Sequence, residues 1–461
     1  MPEVEHNETL NYTSERKEFF GGTYQYDRIS PEASPTIQLN GIVSADFELP
    51  VQPLNLSKTR LRGTFTFPAA GLATYTHVHS GTVPFINQIT LGDEGSAEVV
   101  NIKNVAEYLK VILPSHTKLS EFSQTPINDC YATAVGSSYG PMFHRTDVIA
   151  GSAPAANTLS GYYVAPDGKV VEEGEVSILD INQFYTSAAN TALVVQLDLP
   201  LSVFKGSLLS YPRDIFFNKK LKLSVYFDKA TKYGTTSDQV GELNNANNSD
   251  PVALATPPVL TNLKLYTAIQ KNPMIRQETM KHFSNISNMN IPFVVYQKRA
   301  IEATADEQTM TYKLNSGKGR RVLRVITSLN NPTENKMSAF NNNNSGGRFS
   351  KVRVKFNSQY ESTYTIDIGN GEGYMLQQDD LKGSVIQSEQ QWLQNFSWVS
   401  NFVGAPLHEC QKTDFSESGA TLHTDSEYTL ELTSDNVANI CYIWAIVQKQ
   451  WSVNDVDMVV V

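Results

Sequence analysis

The sequence predicts an all-β fold, organised as two consecutive eight-stranded jelly rolls with short inserted helices and long loops. Three observations predict it. Short segments alternate apolar and polar residues with a period of two, the signature of a strand with one buried face. Helical spacing is confined to brief stretches, so the alternating βαβ grammar of a parallel-sheet enzyme is missing. The second half of the chain repeats the element order of the first, the mark of an internal duplication.

Residues 1–40 lack periodicity and read as an N-terminal arm, with Phe19 and Phe20 as its anchor. The first roll is expected over 41–272. Its strands begin in "KTRLRGTFTFP", where Leu61, Gly63, Phe65 and Phe67 share a face. "FINQITLGD" is a short strand running into a Gly-Asp turn. In "NIKNVAEYLKVIL", Ile102, Val105, Ala106, Leu109 and Ile112 fall at helical spacing, with Asn101 as N-cap. Residues 124–165, rich in Ser, Gly, Ala, Pro and Tyr, read as a long surface excursion. "TALVVQLDLPL", "KKLKLSVYF" and "VLTNLKLYTAIQ" are strands. In the second of these, Leu221, Leu223 and Val225 should face the core, with Lys220 and Lys222 toward solvent or a neighbouring roll.

Residues 273–288 open at a proline and read as a linker helix at the domain boundary. The second roll is expected over 289–461. "RRVLRVITSLNN" places Val322, Arg324 and Ile326 on one face. "KVRVKFNS" is the next strand, "YTIDIGNGEGYMLQQDDL" turns from strand to helix, and "SEYTLELTS" and "NICYIWAIVQKQW" close the chain. The halves superpose as "LRGTFTF" on "VLRVITS", "INQITLG" on "KVRVKFN" and "VAEYLKVI" on "GYMLQQDDL".

Composition narrows the function. The 461 residues exceed one compact core, and 40% hydrophobic with 18% charged residues describes a globular chain. Lys+Arg 37 against Asp+Glu 47 leaves a net charge of −10, a poor basis for direct nucleic-acid binding. Cys130, Cys410 and Cys441 are widely spaced with no CxxC, which argues against a disulfide framework or zinc ribbon. No apolar run approaches the ~18 residues of a membrane span. The polar start does not resemble a secretory signal, so synthesis in the cytosol is the expectation.

No catalytic, cofactor-binding or metal residues are assigned, no cofactor is expected, and the chain is not expected to be an enzyme. His77 and His79 in "THVHSG" share a strand face, but no third metal ligand stands near them. "DIGNGEGYM", Asp367–Met375, has Gly-x-Gly-x-Gly spacing without the lysine or βαβ context of a phosphate loop, so it reads as a turn. "NSGKGRR" at 315–321 reads as a solvated basic turn, Asp379–Asp380 as surface charge, and the N-x-[ST] matches at Asn7, Asn11 and Asn55 carry no weight.

Four stretches then carry a resemblance: "VPFINQITLGDEGSAEVVNIKNVAEYLKVIL", "LVVQLDLPLSVFKGSLLSYPRDIFFNKKLKLSVYFD", "PPVLTNLKLYTAIQKNPMIRQETM" and "GKGRRVLRVITSLNNPTENK". In order and spacing the chain resembles, over about residues 45–461, the double jelly-roll major capsid proteins of virophages, Polinton-like viruses and tailless membrane-containing phages, relatives of adenovirus hexon. The resemblance implies a homotrimer with a pseudo-hexameric outline that tiles the facets of an icosahedral shell. It implies a place in the virion capsid, assembled inside the host cell. The implied partners are further copies of itself, penton and minor capsid proteins, and an internal membrane. The loops at 124–165, 229–258, 333–350 and 404–425 would form outer towers or subunit contacts. The alternatives are a carbohydrate-binding or carbohydrate-cleaving β-sandwich protein, and a fibre or adhesion protein with shorter repeats.

Overall fold

The computed structural model describes residues 24–67, 86–93, 99–105, 112–118, 193–217, 219–227, 257–285, 289–303, 307–314, 320–330, 349–368, 370–384, 397–407, 419–434 and 439–453, with a few short segments and single positions between them. The first set of strands is β1 (Tyr24–Ile29), β2 (Val43–Glu48), β3 (Leu54–Phe67), β4 (Ile86–Asp93), β5 (Val100–Lys103), β6 (Leu193–Pro200), β7 (Leu221–Phe227) and β8 (Val259–Gln270). They form two antiparallel sheets, in the orders β1-β8-β3-β6 and β2-β7-β4-β5.

The second set is β9 (Met289–Ala303), β10 (Glu307–Lys313), β11 (Arg321–Asn330), β12 (Phe349–Phe356), β13 (Ile366–Asp367), β14 (Trp398–Asn401), β15 (Glu427–Ser434) and β16 (Asn439–Val453). Their orders are β9-β16-β11-β14 and β10-β15-β12-β13. Each label of the first pair of sheets, advanced by eight, gives the second pair. Both halves therefore have the same jelly-roll winding, with consecutive strands alternating between facing sheets except at β4–β5 and β12–β13, which pair within one sheet. Helices α1 (Leu113–His116), α2 (Pro273–Asn285) and α3 (Glu372–Leu381) complete the described elements that position the site.

The cores follow the period of two. Leu61 and Phe65 on β3, Leu199 on β6 and Leu265 on β8 are buried against Phe47 on β2, Ile89 on β4, and Leu221, Leu223 and Val225 on β7. Burying a side chain such as Phe47 or Phe65 stabilises the roll by about 1.5–3 kcal/mol relative to exposure. Lys220 is exposed and pairs with Glu48 at 2.6 Å, while Lys222 reaches Glu32 at 3.0 Å and Asp46 at 3.4 Å. Gly63 faces β8 so closely that a Cβ would lie 2.8 Å from Leu260 Cδ1. A larger residue here would have to displace the Leu260 side chain.

Several expectations are corrected. Residues 24–38, assigned to the arm, hold β1 and the two-residue strand Ile37–Gln38, both paired to β8. A six-residue strand without apolar alternation gave no periodic signal, and its pairing partner lies far along the chain. Residues 1–23, with Phe19 and Phe20, lie outside the described residues. Gly92 and Asp93 continue β4 rather than turning, because Leu221 and Lys222 of β7 pair with them. Asn101 is not an N-cap: it sits in β5, opposite Thr90. The break comes at Asn104, with φ 54°, and its carbonyl accepts the first helical bond from Tyr108 N at 3.0 Å. On β11 a bulge between Val322 and Arg324 turns Val322 to the face opposite Arg324 and Ile326.

Between the rolls, α2 starts at Pro273, and the Asn272 side-chain oxygen accepts Met274 N at 2.9 Å. Of the loops expected as towers, 124–165, 229–258 and 333–350 lie almost wholly outside the described residues. Within 404–425 the described part includes the strand Ala420–Thr421, paired to β11.

Candidate assembly surfaces

Three constellations stand out among the described residues. The first is a buried polar latch on the first roll. Asp214, 8% exposed, lies in the "SYPRDIFFN" connection, held in place by the backbone bridge between Ile215 and Leu54. One carboxylate oxygen accepts from Tyr24 Oη at 2.8 Å and Asn55 Nδ2 at 3.2 Å; the other accepts from Gln270 Nε2 at 3.0 Å. Asn55 Nδ2 also reaches the Pro212 carbonyl at 3.1 Å, and Gln270 Oε1 accepts Asn272 N at 3.1 Å. One carboxylate thus ties the start of β1, the start of β3, the β6–β7 connection and the entry to α2. Asn55 is fully buried, so its N-x-[ST] match is a structural asparagine.

The second is the junction between the rolls. The outer face of the β9-β16-β11-β14 sheet carries Arg324, Ile326 and Trp444, all essentially inaccessible. Against it lies the β5–β6 connection of the first roll. Tyr108 stacks edge-on to Trp444 at 6.4 Å and tilts against Phe204 at 5.4 Å; its hydroxyl donates to the Val203 carbonyl and accepts Lys205 N. His116 Nδ1 lies 2.9 Å from the Ile112 carbonyl, which assigns it the proton and leaves Nε2 an acceptor, 3.5 Å from Arg324 Nη1. Lys118 and Ser384 form a backbone bridge across the same junction. Burying a guanidinium is costly unless it is engaged. Arg324 Nε points to Asn401 Oδ1 at 3.4 Å, and its charge partly offsets the rise that burial imposes on the pKa of the neighbouring Asp380.

The third is a cleft of about 600 Å³ in the second roll, bounded by residues 361–366, α3 and β14. Gln377 closes its floor: its side chain donates to the Val399 carbonyl at 2.9 Å and accepts Val399 N at 2.8 Å, satisfying the edge of β14. Asn401 Nδ2 donates to Asp380 Oδ1 at 2.5 Å. Glu361 is exposed as a whole residue, while its carboxyl meets Ser400 and Trp398 at the cleft, where desolvation pushes its pKa up to about 7. Burial raises Asp380 as well, against the pull of Asn401 and Arg324.

The two outer sheet faces of the first roll differ in charge. On the β2-β7-β4-β5 face three lysines are matched: Lys220 with Glu48, Lys222 with Glu32 and Asp46, Lys219 with Asp93 at 3.6 Å. The β1-β8-β3-β6 face carries Arg28, Lys58, Arg60, Arg62 and Lys264 with Asp198, which bonds Arg60 at 2.9 Å and Arg62 at 3.3 Å. Tyr266 lies between Arg28 and Arg62, 5.9 and 6.0 Å from their guanidinium carbons, and Lys58 covers Tyr24 at 4.3 Å.

Chemistry expected at single motifs is placed as follows. His77 lies on a three-residue strand, Thr76–Val78, paired to Tyr185–Ser187, and His79 lies outside the described residues. No cluster of three metal-ligating side chains occurs among the described residues. "DIGNGEGYM" forms the turn from β13 into α3, with Gly371 at φ 83°. Of "NSGKGRR" only Arg320 and Arg321 are described. Asp379 is exposed, but Asp380, read as surface charge, is half-buried in the cleft. Cys441 is buried and its thiol is pushed up to about 12 by desolvation; Cys130 and Cys410 lie outside the described residues. The latch and the Arg324 junction escaped sequence reading, because their members are polar residues far apart in sequence. The one local signal was Arg324 itself, a cation inside an apolar strand.

No protein-family model matches the chain, and no curated protein matches it by sequence. Solved structures do match. The capsid of the virus PBCV-1, in a quasi-atomic model, aligns over 95% of this chain and 97% of that chain at 11% identity, with TM-score 0.53. The chain has the double jelly-roll fold of viral major capsid proteins. The Sputnik virophage structure aligns over 95% of this double jelly roll and 89% of its own chain at 10% identity, with TM-score 0.54. The Faustovirus major capsid protein aligns over 94% and 90%, at 10% identity and TM-score 0.51. At these identities the likeness is one of fold.

Proposed function

We propose that this double jelly roll is the major capsid protein of an icosahedral virus, and that it acts by assembly rather than catalysis. The observation that carries the reading is the duplicated strand order, 1-8-3-6 and 2-7-4-5 repeated as 9-16-11-14 and 10-15-12-13. Two equivalent walls per chain let three chains present six, so a threefold capsomer packs like a sixfold one. Closed rings of identical subunits are the common solution for such contacts. The protein would occupy the virion capsid, with neighbouring capsomers and penton and minor capsid proteins as partners. The structures of similar fold come from PBCV-1, Sputnik and Faustovirus particles or capsid proteins, which supports the same role here.

The test is mass in solution followed by electron microscopy. A particle of about three times the 51.2 kDa chain, or shells with hexagonally packed capsomers, is the expected result. A concentration-independent monomer overturns it.

A second reading rests on the cleft alone, where Glu361 and Asp380 supply the two carboxyls of a carbohydrate-cleaving sandwich. Asp380 is already engaged by Asn401, which favours a structural role. Calorimetric titration with oligosaccharides separates the readings: heat of binding that disappears in Glu361→Gln supports the second.

A further inference from the structure

The cleft of the second roll holds charge that its own walls do not neutralise. Its lining includes two carboxyls, Glu361 and Asp380, and no lysine, arginine or histidine. Glu361 opens the β12–β13 connection: its backbone N–H bonds the Val354 carbonyl at 2.9 Å, and its carboxyl meets Ser400 and Trp398. Asp380 stands in the last turn of α3. Asn401 Nδ2 takes its Oδ1 at 2.5 Å, and no side chain among the described residues takes Oδ2.

The charges around the cleft are spent elsewhere. Arg353 on β12 donates to the Ser362 and Thr363 carbonyls at 3.4 and 3.0 Å. Arg324 on β11 points at Asn401 and His116 and offsets the burial of Asp380 only in part. Asp379 adds a like charge beside Asp380. The Tyr428 hydroxyl on β15, which faces Glu361 and Ser400, is held protonated by burial. Both carboxyls are therefore raised, Glu361 to about 7, and each also raises or feels a neighbouring acid. A counter-ion between them would reverse that shift.

Two further features point to a ligand. Trp398 is 3% exposed and lines the cleft. Its indole N–H is directed at the Glu361 carboxyl, yet no acceptor meets it in hydrogen-bond geometry. A buried indole N–H ordinarily finds a partner. The walls also present the rings of Tyr364 and Phe402, and aromatic faces attract cations. A volume of about 600 Å³ is that of a small-molecule site.

We propose that this cleft binds a small organic cation, an ammonium or guanidinium group joined to a carbonyl or hydroxyl oxygen. The cation pairs with the Glu361 carboxylate and Asp380 Oδ2, and the oxygen accepts the Trp398 N–H. Binding displaces the proton that Glu361 holds near neutral pH, so affinity falls as pH is lowered. The site lies within one roll, so the inference goes beyond assembly and applies to a monomer as to a capsomer.

The test is calorimetric titration of the full chain with three probes: N-acetylarginine amide, agmatine, which lacks the carbonyl, and N-acetylcitrulline amide, which keeps the shape without the charge. The expected result is saturable binding of a cationic probe at pH 8, at least about tenfold weaker at pH 5.5, where Glu361 is mostly protonated. Near pH 7, heats measured in buffers of different ionisation enthalpy should show proton release. Glu361→Gln and Asp380→Asn should each weaken binding about tenfold, with folding checked by circular dichroism; Glu361→Gln, at an exposed residue, carries the test if Asp380→Asn is unstable. Tighter binding of the arginine amide supports the site and names a peptide side chain as its source, and tighter binding of agmatine supports it and names a free amine. No saturable binding of either cation at millimolar concentration, equal binding of the citrulline probe, or affinity unchanged in the variants overturns the proposal. None of these outcomes bears on the mass of the assembly, so the capsid reading is tested separately.

Discussion

Asp214 is a buried carboxylate on which distant parts of the chain converge. Three side-chain donors converge on it, from Tyr24, Asn55 and Gln270. Truncating a buried acceptor leaves its donors desolvated and unmatched. Asp214→Ala is expected to cost about 3 kcal/mol of stability in urea denaturation, and Asp214→Asn clearly less, since one oxygen still accepts. Glu361 works in the opposite sense. Its folded-state pKa is raised to about 7, so the native state binds the proton more tightly than the unfolded chain. Its contribution to stability is full below the ordinary carboxylate range and is lost as pH rises toward 7. Burial raises Asp380 in the same direction. Glu361→Gln should therefore flatten the fall in stability between pH 4.5 and 7. Because the residue is largely exposed, solvent screening holds the effect to about 1 kcal/mol. A pH series of denaturation midpoints that is unchanged in the variant refutes the assignment.

At the scale of elements, α3 shows how a short helix earns its place. Gln377 imitates a strand by bonding both backbone groups of Val399, so the edge of β14 is closed by a side chain. Gly373 lets the helix sit against the core: a Cβ there would lie 2.6 Å from Ile368 Cδ1 and 3.0 Å from Trp392 Cη2. Gly373→Ala is expected to cost about 1–3 kcal/mol by overpacking, read as a lower melting temperature. The period of two identified β7 and its inward face, Leu221, Leu223 and Val225, because amphipathic alternation is a local property. It failed at 101–103, where Ile102 and Val105 suggest a helix. Pairing with β4 decides for a strand there, and pairing is a non-local event. The bulge at Val322 was equally invisible, since one extra residue in a ladder leaves no trace in composition.

At the scale of the molecule, the two rolls are joined by more than α2. Trp444 is fully buried and lies against Tyr108 from the other roll. Trp444→Ala is expected to cost about 3–5 kcal/mol and to uncouple the halves. Calorimetry should then show two separated unfolding transitions in place of a cooperative one. A single transition at unchanged temperature would show that the junction contributes nothing.

The fold class and its duplication were legible in the sequence. Strand alternation, the strand-to-helix turn before α3 and the matching order of "LRGTFTF", "INQITLG" and "VAEYLKVI" with their counterparts are all local patterns. The candidate surfaces were not legible. A strand shows that it has an inside and an outside, but not what its outside meets. Arg28, Arg62 and Lys264 are unremarkable separately, and only antiparallel pairing sets them side by side on one face. Asp214 and Tyr24 stand 190 residues apart, and Arg324 and His116 stand 208 apart. Burial pattern is written residue by residue, whereas which sheet faces are covered and which are left open is settled by chain closure over long separations.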